Sequence, residues 1–195
     1  MKTTENYYCD KARLKELIIK YNTMNYNDDG SWLERYTKRM VTKKSNKTLS
    51  EDDFDCKIDF VERKRKQIQN TREHWANLTS LERTAYNEEF FKISEELSKN
   101  FVNIINGRIN SYRLWQHPEL HDIKQEALLA LYKYVNRFDS DSDTSAFAYT
   151  TQIINNAFNL YLQQYNERNE KEVYGLDFYE NLKGDNGNLA HEYEE

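Results

Sequence analysis

Residues 120–173, LHDIKQEALLALYKYVNRFDSDSDTSAFAYTTQIINNAFNLYLQQYNERNEKEV, decide the fold. They contain two helical patterns separated by the Asp/Ser/Thr-rich loop 139–145, and in each pattern apolar residues recur at the 3.6-residue period of an α-helix. The whole chain of 195 residues has one Pro and five Gly, whereas all-β chains need more turn residues. The sequence therefore predicts an all-α fold.

The first of these helices, predicted over 120–138, has an unusual face opposite its core stripe. The core stripe is predicted to contain Ile123, Ala127, Leu131, Tyr134, Val135 and Phe138. The opposite face contains Asp122, Gln125, Glu126, Leu129, Tyr132 and Lys133. Apolar anchors ringed by polar groups are typical of a helix that binds a protein. The spacing equally allows Leu129 and Tyr132 to pack beneath the N-terminal arm.

The second helix, predicted to end near Glu172, has a face rich in carboxamides. This face contains Tyr149, Gln152, Asn156, Asn159 and Gln163, and the buried stripe contains Phe147, Ile154, Ala157, Phe158, Tyr161 and Tyr165. Amides can hydrogen-bond to adenine in a bidentate manner, and an aromatic ring can stack on an unpaired base. The alternative is a neutral solvated face in an Asn-rich protein. We expect the polar faces of the two helices to lie on separate outer flanks.

The whole chain divides by composition into four segments. They are an N-terminal helical arm (1–30), a basic and charged helical insertion (31–86), the main helical domain (87–173) and an acidic tail (174–195). Asp10, Ser50 and Thr79 are candidate N-caps. The basic block contains Arg35, Lys38, Arg39, Lys43, Lys44 and Lys47 with Glu34 as its acid.

Charge and composition exclude several classes of function. The net charge of −5 argues against a free-standing DNA binder, which normally has a basic footprint; we expect a partner to supply phosphate neutralisation. Cys9 and Cys56 match no metal-ligand spacing and indicate reduced cytoplasmic thiols. The sequence has neither a signal-peptide pattern nor an apolar run long enough for a membrane span. No nucleophile–base pair or phosphate loop stands out, so we predict no enzyme, no catalytic residues, no cofactor and no metal.

The segment HDIKQEALLALYKYVNRFD resembles conserved region 2 of bacterial RNA polymerase sigma factors. In that family a helix of the form D-x-x-Q-E-x-x-x-x-L precedes an F-D turn, and the promoter-reading helix follows. The chain is most similar to the T4-type phage late-transcription sigma factors. It shares with them the pattern of Tyr149, Thr151, Gln152, Asn156, Ala157 and Phe158. The resemblance covers about 88–173, extends to 7–21 and is absent from the basic insertion.

This resemblance implies roles for the two unusual faces. Asp122, Gln125, Glu126 and Leu129 match the sigma surface that docks on the coiled coil of the largest subunit of the polymerase core. Tyr149 matches an aromatic that holds a flipped adenine of the −10 element, and Asn156 and Asn159 match positions that contact its upstream edge. Gln152 and Ile153 stand where housekeeping sigma factors have aromatic residues, so we expect weak unaided promoter melting.

The tail also resembles a functional element of the late phage factors. These factors bind the DNA sliding clamp through a C-terminal peptide with a Leu-Asp-Phe core, which here matches Leu176, Asp177, Phe178 and Tyr179. The peptide departs from the family because it stands close behind the last helix and some way before the end of the chain. The alternative is that Leu176 and Phe178 fold back on the core.

The resemblance and the two faces together lead to one expected function, one main rival and a more distant rival, a helical interaction protein with no polymerase role. We expect a cytoplasmic phage late sigma factor that binds bacterial RNA polymerase core and directs initiation at an A/T-rich −10-like element, with activation by the clamp. Its partners would be polymerase core, promoter DNA and the sliding clamp, with no membrane. The main rival is a polymerase-binding regulator, a co-activator or an anti-sigma factor, that does not itself read DNA.

Overall fold

The computed structural model of the chain describes residues 9–46 and 48–188, with side chains to residue 170. The described residues form six α-helices and no strand, which confirms the predicted all-α class. The helices are α1 (Lys11–Met24), α2 (Ser31–Ser45), α3 (Glu51–Asn77), α4 (Ser80–Tyr112), α5 (Leu120–Tyr134) and α6 (Ala146–Asn188). Two single-turn 3₁₀ helices, Leu114–Gln116 and Val135–Arg137, follow α4 and α5. Among these helices, none is long and apolar enough to cross a membrane.

Three of the helices have the predicted N-cap residues at their N-termini. The Asp10 carboxylate accepts hydrogen bonds from the backbone N–H groups of Ala12 and Arg13 at the start of α1. Ser50 caps α3, and Thr79 forms a capping box with Glu82 at the start of α4. Such caps satisfy N–H groups that have no partner within the helix. The starts of these three helices are therefore indicated by short polar signals in the sequence, whereas α2 and α5 start without a side-chain cap.

The main core lies between α1, α4, α5 and α6. Leu97, Phe101, Ile154 and Phe158 are buried there, together with all of the predicted α5 stripe except Tyr134, which is half-buried. The α1 residues Leu14, Leu17 and Ile18 are also at most 1% exposed. The N-terminal helix is thus part of the main core.

A second, smaller core joins α2 and α3 into a hairpin. Its buried members are Trp32, Leu33, Phe60 and Val61. Arg63 of this hairpin donates to Asp141 (2.8 Å) and pairs with Asp139 (3.5 Å) in the loop before α6. The hairpin is therefore tied to the loop that leads into α6.

Two predicted boundaries differ from the observed helices. The boundary between 86 and 87 falls inside α4, because the capping box places the start of that helix at Ser80. The last helix, predicted to end near Glu172, continues to Asn188. Pro118 lies between α4 and α5, and Gly107 lies within α4.

Candidate docking face and polar groove

Most of the predicted docking residues share an exposed face of α5. Asp122, Gln125, Glu126 and Lys133 are exposed, and Leu129 is 64% exposed. The opposite side of the helix buries Ile123, Ala127 and Leu131 completely. The Gln125 amide is hydrogen-bonded to the His121 ring (2.7 Å), one turn earlier. Because Leu129 is a large apolar side chain left in solvent among polar neighbours, this face has the composition of a protein contact.

Tyr132 is the exception, and its predicted place on the docking face is wrong. Its ring packs between Tyr21 of α1 and Phe101 of α4, with centroid separations of 6.0 and 5.7 Å. Its hydroxyl contacts the Ser98 hydroxyl and donates to the Ser94 carbonyl (3.3 Å). Tyr132 therefore packs beneath the N-terminal helix, whereas Leu129 does not.

The amide row of α6 is exposed, as the helical spacing predicted. Gln152, Asn156, Asn159 and Gln163 are all solvent-accessible. Gln152 donates to the side-chain amide oxygen of Asn156 (2.9 Å), and Gln163 donates to the Glu167 carboxylate (2.9 Å). Since these bonds are exposed and local, they can exchange for bonds to a ligand at small net cost.

Tyr149 is not a freely exposed ring. It is half-buried, with its centroid 5.5 Å from that of Phe138. Its hydroxyl donates to the Tyr134 carbonyl (2.7 Å). Burial raises the pKa of this hydroxyl well above its usual value, so the group stays neutral and acts as a donor. Tyr149, which is predicted to stack on a base, therefore already has a structural role in the protein.

The two polar faces meet at one groove of about 850 Å³ between α5 and α6. Glu126, Leu129 and Lys133 line its α5 wall, and Tyr149, Gln152 and Asn156 line its α6 wall. The expectation of separate outer flanks is therefore wrong for these six residues. Asp122, Gln125, Asn159 and Gln163 are not among the lining residues. The docking face and the amide row thus share an edge at the groove, and part of each face lies outside the groove.

Hydrogen bonds at both ends fix the two walls of the groove. At one end the Tyr149 hydroxyl is bonded to the last residue of α5. At the other end Glu119 accepts from the Tyr161 hydroxyl (2.7 Å) and from Arg168 (2.9 Å). The bond to Glu119 raises the pKa of Tyr161, which stays a donor. The spacing between the walls is therefore set before any ligand binds, which lowers the entropic cost of binding.

Several residues of the groove were not predicted as site residues. Arg39 reaches it from α2, and Arg137 reaches it from the 3₁₀ turn after α5. Tyr134, Leu160, Tyr161 and Gln164 also line it. The basic block of α2 was the sequence signal that could have pointed to Arg39. The position of Arg39 beside α5 and α6, however, depends on how the α2–α3 hairpin docks.

The predicted clamp-binding residues Leu176, Asp177, Phe178 and Tyr179 lie outside the side chains that the structure describes. The backbone of α6 is helical there. Within the described part of the chain, no three His, Cys, Asp or Glu side chains cluster closely enough to hold a metal ion.

Comparison with known proteins gave no match: no family model matches the sequence, and neither a curated protein nor a solved structure is significantly similar to the chain.

Proposed function

We propose that this chain is a phage late sigma factor that acts in the host cytoplasm. It binds bacterial RNA polymerase core through α5 and directs initiation at an A/T-rich −10-like element read by α6. The observation that supports this best is the shared edge between the exposed α5 face and the amide row of α6. A factor that positions DNA on an enzyme needs its protein-binding and base-reading groups close together and rigidly held.

The outer part of the α5 face is suited to the polymerase. Asp122 and Gln125 lie outside the groove, and Leu129 stands at its rim with most of its surface in solvent. A coiled coil offers charged and apolar side chains in alternation, so a Leu anchor flanked by an acid and an amide is a complementary surface. This leaves the inner side of the groove open when α5 is covered.

The α6 wall is suited to unpaired A/T bases. Gln152 and Asn156 present amides that can pair with the edge of adenine. The half-buried Tyr149 ring and the exposed Leu160 (58%) offer apolar surface beside them. The two aromatic rings on this wall, Tyr149 and Tyr161, are both held by hydrogen bonds of their hydroxyls, which fits the weak unaided melting expected from Gln152 and Ile153. An activator such as the sliding clamp is therefore part of the proposal.

A second candidate function is a polymerase-binding regulator, a co-activator or an anti-sigma factor, that reads no DNA. The hydrogen bond of Tyr149 to Tyr134 favours it, because a ring held in this way is not presented to a base. In this case α5 would dock in the same manner and the amide row would be a neutral solvated face.

Transcription in vitro separates the two functions. Purified bacterial core polymerase, the chain and A/T-rich templates are combined with and without a phage sliding clamp. We expect initiation at defined start sites that depends on the chain and increases with the clamp. Core binding without site-specific initiation would support the regulator, and absence of core binding would overturn both.

A further inference from the structure

We propose that α2 supplies the phosphate-binding side of the groove, so that the chain itself holds the backbone of a single-stranded DNA whose bases face α6. This inference rests on the proposed function and assigns a role to a segment for which the sequence resemblance gives none. The observation behind it is the approach of Arg39 to the groove between α5 and α6.

The charge of the groove is opposite in sign to that of the whole chain. Three cationic side chains line it, Arg39, Lys133 and Arg137, against the single carboxylate of Glu126. Among the described side chains, none of these three cations forms an ion pair with a carboxylate. The side chains that line the groove therefore carry more positive than negative charge, which favours an anionic ligand although the net charge of the chain is −5.

Arg137 fixes α2 in this position. Its guanidinium lies over the Tyr134 ring (4.5 Å to the centroid) and over the Trp32 ring of α2 (5.5 Å). Contacts of a guanidinium with two rings are attractive because each aromatic face is electron-rich. Trp32 is itself buried in the hairpin core. The basic helix is thus anchored to the end of α5 by buried aromatic packing.

From the groove, the positive charge continues along α2. Arg35, Lys38 and Lys43 are exposed on this helix, whose sole acid is Glu34. A strand leaving the groove over α2 would meet cations along its backbone. In a single strand the base edges are unpaired and can turn toward Gln152 and Asn156 while the phosphates face the other side. In duplex DNA the Watson–Crick edges of the bases are already paired, so only a single strand offers them together with its phosphates.

The test measures binding of a short fluorescent A/T-rich single strand to the full chain by fluorescence anisotropy. The affinity is measured at a series of salt concentrations that starts at low ionic strength. We expect affinity to fall with salt, and Arg39→Gln to reduce the log–log slope by about 0.7, the value for one lost phosphate contact on single-stranded DNA. Arg39→Lys should restore the slope, because the charge returns. The matched control is Arg65→Gln on α3, an exposed arginine outside the groove, which should leave the slope unchanged.

Three outcomes would overturn the inference: no binding of the strand at low salt, equal effects of Arg39→Gln and Arg65→Gln, or tighter binding of the matching duplex. A pull-down of core polymerase by the same variants keeps this result apart from the proposed function. If core is bound and transcription is initiated while the slope is insensitive to Arg39, only the role of α2 is lost. If core is not bound, the sigma-type function fails whatever the strand does.

Discussion

The Tyr149 hydroxyl donates a 2.7 Å hydrogen bond to the backbone carbonyl of Tyr134, and this bond joins the start of α6 to the end of α5. The same ring lines the groove and packs on Phe138. Tyr149 therefore makes a structural contact and also lies at the proposed base-reading wall. Different substitutions of Tyr149 are needed to test the structural role and the base-reading role separately.

Replacing Tyr149 by Phe should remove only the hydrogen bond. We expect a loss of about 0.5–1.5 kcal/mol in the free energy of unfolding, measured by urea denaturation, with the ring and its stacking surface retained. If the ring contacts a base, this variant should still initiate at promoters, whereas Tyr149→Ala should bind core and fail to initiate. Wild-type initiation by a folded Tyr149→Ala protein would remove the assigned role of the ring.

Replacing Gln125 and Glu126 together by Ala should abolish binding to core polymerase in a pull-down. Both side chains are exposed, so the folded state should be little affected, because such surface changes usually alter stability by less than about 0.5 kcal/mol. A matched control is Gln69→Ala with Glu73→Ala, an exposed amide and carboxylate on α3. Equal binding by the two double variants would argue against α5 as the docking face.

Arg13 and Glu96 should make stability depend on acid pH. Arg13 of α1 donates two hydrogen bonds to Glu96 of α4, from Nε to Oε1 and from Nη2 to Oε2, both at 2.7 Å. These bonds lower the pKa of Glu96 below its ordinary value of 4.5. Because the folded-state pKa is lower, the pair stabilises the protein fully above pH 4.5, and the contribution is lost as the pH falls through the folded pKa.

The variant Glu96→Gln isolates this effect. We expect it to be less stable than the wild type at neutral pH, with the difference shrinking below pH 4.5, in thermal melts recorded across that range. A difference that stays constant with pH would mean that packing, not the charge, carries the contact. The exposed Lys99–Glu95 pair on the same helix offers a control in Glu95→Gln, which breaks no contact with α1.

Removing residues from Gly175 onward should test the proposed clamp contact. We expect this truncation to abolish stimulation of transcription by the sliding clamp and to leave basal initiation intact, because the described parts of α5 and α6 that line the groove end at Gln164. A truncated chain that is still stimulated by the clamp would reject the assignment of Leu176, Asp177, Phe178 and Tyr179.

The helices and much of the core were predictable because their signals are local. The caps at Asp10, Ser50 and Thr79 and the buried stripe of α5 follow from short-range hydrogen bonding and the 3.6-residue period. Tyr132 was misplaced because periodicity gives an angle around α5 and not the neighbour at that angle; α1 and α4 cover that side.

The groove could not be predicted for a related reason. Residues lying between the centre and the edge of a helix face become walls of a groove only when a second helix packs at a particular angle. The place of Arg39 in the groove is harder still to predict, because it depends on how α2 docks. The docking of α2 is held by the cation–π contacts of Arg137. The acidic composition after residue 173 predicts a boundary there, but the backbone of α6 continues as helix to Asn188.

The small separate core of the α2–α3 hairpin has a consequence for hydrogen exchange. Among the described residues, nineteen buried side chains form the main core and four form the hairpin cluster, so the hairpin can open without melting the rest. Its amide protons should then exchange with deuterium sooner than those of α4 or α6 around Ile154. A ligand that bridges Arg39 and Lys133 would slow exchange in the hairpin most, and the pattern of protection would record where the ligand lies.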